Sequence, residues 1–493
     1  EAEGDRRPHK LTGEKERRHN HHRAVAMEDS HKRPTLLQSL VPIFSIALFL
    51  GIGYGVFKLR IEFLLIAAAA VSGIIALRLG YTYKEMEEGI VHSISKGMPA
   101  MMVVIVVGVL IGTWMSCGAI PMMVYYGLKI ISPSFYLVTA CVVCSIISVV
   151  TGTSYGTAGT VGVAFIGIAQ GMGIPLSYAA GAIVAGSYFG DKLSPFSDTT
   201  NLAPIAAGSN LFDHIKHTLW TTTPAWLVGL VIYYFLGRGG SGSVASEQMT
   251  QIMETIPATF RFSLVLLLPP IITLYAALSK KPTIPGMLVS SFVAMILAMT
   301  YQNMPLVEAV DAMVHGFTSN TGLPLVDTLL TKGGMMNMMD VTLIALCAFA
   351  FAGITQKAGM LDVLLQYMTR FANTTGRLIA TTSLSSLAVA VMTGSSFLTI
   401  LIPGELFSPA FKRMGLAAKN LSRTVEDSGT VIVPIVPWSI AGVYMAGTLG
   451  VPTLSYAPFA FMCYLGVVFA WLYGFTGFAI APRIRDDETI PGS

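Results

Sequence analysis

Runs of about twenty apolar residues recur along this 493-residue chain, the length a helix needs to cross a hydrocarbon core about 30 Å thick. Such runs lie near 36–57, 60–79, 98–116, 133–151, 174–190, 218–237, 258–279, 282–300, 340–357, 375–393, 430–450 and 455–480. Composition agrees: charged residues make up only 12% of the chain, half the share of a soluble globular protein. The segments between the runs are too short for a separate soluble catalytic or binding domain, so whatever the chain does, it does inside a helical bundle. The expected fold is all-α and polytopic.

The first 35 residues are of another kind. Nine of the 31 Lys and Arg residues and five of the nine His fall there, with no apolar periodicity, which reads as a disordered tail. Met27 is a plausible natural start, so residues 1–26 read as vector-derived and the His19, His21, His22 cluster carries no metal reading. The tail supplies +2 of the formal +4 charge, and without it no nucleic-acid reading survives. Five cysteines, Cys117, Cys141, Cys144, Cys347 and Cys463, sit in or beside apolar runs. Cys141 and Cys144 form a lone CxxC one helical turn apart, which fits core packing better than redox or zinc chemistry.

The chain repeats itself once. Gly112 and Gly118 in GTWMSCG recur 241 residues later as Gly353 and Gly359 in GITQKAG. Thr151-Gly-Thr-Ser recurs 242 residues later as Thr393-Gly-Ser-Ser, and the setting of His92 resembles that of His315, with an 18-residue insertion within 316–340 absorbing the shorter offset. Three matches in order divide the chain into a first repeat over 36–237, a linker over 238–257, a second repeat over 258–480 and a C-terminal tail over 481–493. Arg33, Lys280 and Lys281 fall on one membrane face only if the repeats are inverted, which is the arrangement expected.

Each repeat carries the same two anomalies. TGTSYGTAGT at 151–160 and TGSSFLT at 393–399 are polar, Gly- and Thr-rich interruptions straight after an apolar run. Backbone released from a helix inside a membrane is tolerated where it is buried in protein or lines a wet cavity. These segments are therefore expected to be re-entrant hairpin tips, with Thr153, Ser154, Thr393, Ser395 and Ser396 as hard oxygen ligands suited to an alkali cation. The second anomaly is GDKLSPFSDTTNLAP at 190–204 and EDSGTVIVPIVPW at 426–438, where prolines and glycine break a helix beside acids. Asp191, Asp198, Thr199, Thr200, Asn201, Glu426, Asp427 and Thr430 are the candidate cation- and proton-binding residues, with Asp198 and Asp427 the acids expected on a sodium ion. Four isolated charges at mid-membrane would cost on the order of 10 kcal/mol, which a purely structural role does not repay. Neighbouring carboxylates in a low-dielectric cavity cannot all ionise, so a proton and a cation compete for the same oxygens.

Lys192 and Arg423 are the cations nearest these acids, and two roles stay open for them: internal counter-ions, or contacts to an anionic cargo. Glu405 is expected at a helix end. His214 and His217 share an HxxH, but without a third ligand they are expected at the membrane interface. No nucleophile, cofactor or metal constellation points to an enzyme, and no cofactor is expected.

At GTWMSCGAIP, TGTSYGTAGTVGVA, GDKLSPFSDTTNLAP, TGSSFLTILIPGELF and NLSRTVEDSGTVIVPIVPW the sequence resembles the NhaC-type family of Na+/H+ antiporters, over almost all of 36–480. The resemblance implies two inverted repeats with re-entrant hairpins and broken helices, in a multi-pass protein of the cell (inner) membrane. It carries a cation-binding role to Asp191, Asp198, Asn201, Glu426, Asp427 and Thr430, with Na+ and H+ as cargo. The family also includes exchangers coupling sodium and protons to malate and lactate, so a small organic acid stays open as a further partner, as does a homodimer.

Overall fold

The computed structural model describes residues 31–239, 246–279 and 281–482; the expected vector-derived stretch and most of both tails lie outside them. Among the described residues the chain is helical throughout, with two isolated backbone bridges and no strand. Up to Gly239 it forms α1 (Leu36–Leu48, continued by a π-helical stretch Phe49–Tyr54), α2 (Ile61–Arg78), α3 (Tyr83–Ser116), α4 (Ala119–Ile130), α5 (Tyr136–Thr151), α6 (Ser154–Thr157), α7 (Val163–Gly171), α8 (Leu176–Leu193), α9 (Asp198–Ala207) and α10 (Leu211–Gly239). Beyond it come α11 (Ser246–Thr259), α12 (Leu268–Leu278), α13 (Thr283–Thr300), α14 (Leu306–Val314), α15 (Pro324–Leu330), α16 (Met339–Lys357), α17 (Met360–Met368), α18 (Thr375–Thr393), α19 (Ser396–Arg413), α20 (Ala418–Val425), α21 (Ile440–Leu449), α22 (Thr453–Tyr456) and α23 (Phe461–Thr476).

Eight of these helices are long and apolar enough to cross a membrane, or up to eleven spans if three bent pairs each count as one. Twelve runs were expected. The run at 174–190 is where the count drops: α8 is buried from Ala179 to Tyr188, so it meets protein rather than lipid and is built from small residues instead of long apolar ones. The runs at 258–279, 430–450 and 455–480 are the bent pairs, turning by 97°, 45° and 52° at their breaks. Part of the stretch read as linker, Ser246–Thr259, is a helix that buries Ile252 and Ile256.

The matching sequence stretches fold alike. α5 ends at Thr151, Gly152 turns left-handed at φ 70°, and Thr153 caps the next helix by accepting from the Gly156 N–H. α18 ends at Thr393, Gly394 turns left-handed at φ 63°, and Ser395 caps α19 by accepting from the Leu398 N–H. A side chain would be strained at either glycine. Gly118 between α3 and α4 and Gly359 between α16 and α17 are likewise left-handed, at φ 88° and 67°.

Close helix approach fixes the first break. A Cβ on Gly186 would lie 2.2 Å from the Cys141 carbonyl oxygen, and one on Gly190 would lie 2.4 Å from that of Ser145. α8 therefore lies backbone to backbone on α5, as small residues permit in a membrane bundle, and Asp191 is carried to the side of the α5 turn. All five cysteines are buried and free.

Candidate functional site

α8 stops at Leu193 and α9 starts at Asp198, and the four residues between them leave backbone groups that must be satisfied. The Asn201 amide does so, donating to the Pro195 carbonyl at 2.9 Å and the Ser197 carbonyl at 2.7 Å. The Ser197 hydroxyl, which lies 3.1 Å from that of Thr199, caps α9. The Asn201 amide nitrogen thus braces the broken helix.

Beside this break lies a cavity of about 1000 Å³. Its wall includes Asp191, Asp198, Thr199 and Asn201 from the first break, Thr153 and Ser154 from the α5 turn, and Ser395 and Ser396 from the α18 turn, with Thr430 from the second break. The two turns that the sequence repeat singled out therefore meet at one space. Asp191 is only 8% exposed, and its Oδ2 accepts from the Ser154 hydroxyl at 2.7 Å. Thr430 is buried, and its hydroxyl has no partner among the described residues. Lys96 and Lys281 also line the cavity, from α3 and from the turn before α13.

Asp198 differs from its expected setting. It is exposed on the cavity wall, because as the first residue of α9 its side chain projects from the helix start into open space. Thr393 faces inward as well, its hydroxyl donating to the Val389 carbonyl at 2.8 Å, and it does not line the cavity.

The second break lies behind this wall. α20 runs into a π-helical stretch Glu426–Thr430 and then a 3-10 turn Val433–Ile435, and every residue from Leu421 to Pro434 is buried. A buried charge needs a partner, and here other helices supply them. The Lys192 ammonium donates to Asp427 Oδ1, which also accepts from the Thr221 hydroxyl at 3.0 Å. Both members of this ion pair are wholly buried. Of Asp198 and Asp427, the acids expected on a sodium ion, Asp198 lines the cavity and Asp427 does not, being paired with Lys192. Of the two roles open for Lys192, its contact with Asp427 supports that of an internal counter-ion. Arg423 also faces away from the cavity, donating from one terminal nitrogen to the Ala479 carbonyl at 2.9 Å. Neither lines the cavity.

Glu426 is fully buried and reaches two other helices, α9 and α10. Its Oε1 lies 3.1 Å from the Thr200 hydroxyl, which is also 3.0 Å from the Asp191 backbone carbonyl. Its Oε2 lies 2.6 Å from His214 Nε2. His214 was expected at the interface; it is wholly buried, because α10 turns that face toward α20 and its ring bridges Glu426 and Ser422. His217 is buried too, 3.0 Å from Asn420 Oδ1. Thr221 and His214 are the two functional candidates that sequence reasoning passed over. A clue to Thr221 was present in the Thr-rich run TLWTTTPAW inside an otherwise apolar helix. Glu405 is exposed. Among the described residues no three His, Cys, Asp or Glu converge to hold a resident metal.

Comparison with known proteins fits this arrangement. The model of the Na+/H+ antiporter family matches residues 186–478, a stretch containing both helix breaks. That of the C4-dicarboxylate anaerobic carrier matches residues 5–235. An "uncharacterized Na(+)/H(+) antiporter" of Haemophilus influenzae is 45% identical over 464 residues, covering 92% of this chain and 99% of the relative. The Na+/H+ antiporter NhaC of Alkalihalophilus pseudofirmus is 35% identical, with 86% and 92% covered. The malate-2H+/Na+-lactate antiporter of Bacillus subtilis is 33% identical, with 90% and 95% covered.

Proposed function

This chain belongs to the Na+/H+ antiporter family, and we propose that it is a multi-pass transporter of the cell membrane that exchanges sodium ions for protons at Asp191. The observation that carries the assignment is the position of that carboxylate. It is nearly buried, it accepts from a hydroxyl of the α5 turn, and it opens on a cavity that both polar turns reach. Sodium is a hard cation that takes oxygen ligands, and the Asp191 carboxylate with the hydroxyls of Ser154, Thr153, Ser395, Ser396 and Thr430 offers a set of them. A proton on Asp191 removes the charge that attracts the ion, so one site carries either cargo but not both. Asp198, exposed on the same wall, draws cations in without being the exchange site. The Lys192–Asp427 pair keeps the helix crossing behind the site electrically balanced and takes no part in binding.

The test is sodium-driven proton flux in proteoliposomes, followed with a pH-sensitive dye. Asp191→Asn abolishes it on this reading; flux surviving that change overturns the assignment.

One observation favours a second reading, in which a small organic anion travels as well. A cavity of about 1000 Å³ with Lys96 and Lys281 on its wall is larger than a bare ion requires, and the Bacillus subtilis relative is named for malate and lactate exchange. Radiolabelled malate uptake that requires a lactate load inside the vesicle, and falls in Lys96→Ala with Lys281→Ala, would choose it.

A further inference from the structure

We propose that Glu426, His214, Ser422 and Ser209 form a path outside the cation cavity by which protons exchanged at Asp191 reach the surface, with Thr200 between Asp191 and Glu426 and His214 as the relay; this rests on the sodium–proton reading above. The path begins at a carboxylate that does not line the cavity and is wholly buried. Glu426 Oε2 lies 2.6 Å from His214 Nε2, His214 Nδ1 lies 2.9 Å from the Ser422 hydroxyl, and that hydroxyl lies 3.1 Å from the Ser209 hydroxyl. Ser209 is half-buried between the exposed residues Gly208 and Asn210, where α9 ends. Every step is a hydrogen-bond length, so the chain leads from the buried carboxylate to the surface without a gap.

The chemistry of each member suits a proton and excludes a cation. An imidazole bonded at both nitrogens can accept a proton on one and release one from the other, and a hydroxyl both donates and accepts. Sodium needs several oxygens around a space of its own, and contacts of 2.6–3.1 Å between successive partners leave none. On the elements packed against Glu426 and His214, Asp213 and Lys216 of α10 are exposed, and Lys419 of α20 is half-buried with its carbonyl 3.2 Å from the Ser422 hydroxyl. Asp427 on its own stretch is paired with Lys192 of α8. Arg423, one turn earlier, donates to the Ala479 carbonyl. Asp191 of α8 faces the cavity, His217 of α10 is held by Asn420, and on α19 Glu405, Lys412 and Arg413 are exposed. Tyr473 of α23, half-exposed, completes the set. None of them competes with His214 for Glu426 Oε2. A purely structural His214, tying α10 to α20, would make the same contact, so the experiment must read something that tying alone does not move.

Two fluxes measured on the reconstituted full chain separate these roles. One is proton flux driven by a sodium gradient; the other is exchange of radioactive sodium for unlabelled sodium with no pH gradient, which requires no proton to move. In His214→Gln and Glu426→Gln the proton flux is expected to fall about a hundredfold, as loss of a proton-transferring group does, with sodium self-exchange left intact. Ser422→Ala keeps the Glu426–His214 contact while cutting the way out, and it should show the same split if either replacement within the pair prevents folding. Asp191→Asn should abolish both fluxes. The proposal is overturned if the two fluxes fall together in the His214, Glu426 and Ser422 variants, or if neither falls. A wild-type chain showing no sodium-driven proton flux would instead overturn the function it rests on.

Discussion

The two helix breaks both set acids beside helix-breaking residues and live in opposite surroundings. The first, between α8 and α9, stands open: Asp198 is exposed, Asp191 is at the cavity wall, and the loosened backbone is braced by Asn201. The second, from Glu426 to Ile435, lies behind it, and its acids are met by Lys192, Thr221 and His214 from other helices. A carboxylate facing a wet cavity can wait for a cation, whereas one shut away from water must bring its partner with it. Breaks at corresponding places in the chain have thus come to differ: one opens its acids to a cavity and the other meets its acids with partners from other helices.

The sharpest way to break that contrast is to unbalance the second break. Lys192→Ala leaves Asp427 buried without its cation, and removing one partner of a buried pair costs about 3–5 kcal/mol. The expected result is a large drop in melting temperature in detergent, with recovery in the double variant Lys192→Met with Asp427→Leu. At the first break the matching change acts on transport instead: Asp191→Asn should lower sodium-driven proton flux about a hundredfold or more, as loss of a proton-transferring group does, while melting changes little.

The turns offer a milder comparison. Gly152→Ala forces a left-handed side chain, a cost of about 1–2 kcal/mol, and sets its Cβ 2.7 Å from Phe196 Cβ and 2.8 Å from the Phe196 carbonyl carbon. Gly394→Ala pays the same conformational cost, but its nearest neighbour is Ser439 Cα at 3.1 Å. Melting curves should therefore place Gly152→Ala below Gly394→Ala. The smallest effect is expected at Asp198. Exposed charges contribute about 1 kcal/mol at most, so Asp198→Asn should raise the sodium concentration for half-maximal flux by about fivefold or less. A loss as deep as that of Asp191→Asn would move the exchange site to the cavity mouth.

Much of this was legible without coordinates. Period and length of the apolar runs fixed an all-helical membrane bundle, because lipid leaves a backbone no other way to satisfy itself. The paired TGTS and TGSS stretches announced their turns, since a left-handed residue after a helix calls for glycine and the next helix calls for a hydroxyl cap. Asp191, Ser154 and Ser395, singled out from helix breakers and polar interruptions, all line one cavity. Reading failed where a residue's role depends on which neighbour it meets across more than two hundred positions. His214 looks like an interfacial histidine until α10 packs it against Glu426, 212 residues away, and Lys192 could serve a cargo or a counter-ion until Asp427 is seen beside it, 235 residues away.

The sequence by itself determined that helices break beside acids in mid-membrane, because composition, period and helix-breaking residues are local properties. Only the tertiary structure decided which acid faces a cavity and which faces a cation, because burial and charge pairing belong to the packing of distant helices. An Asp lines a cavity in one setting and is paired with a buried Lys in the other.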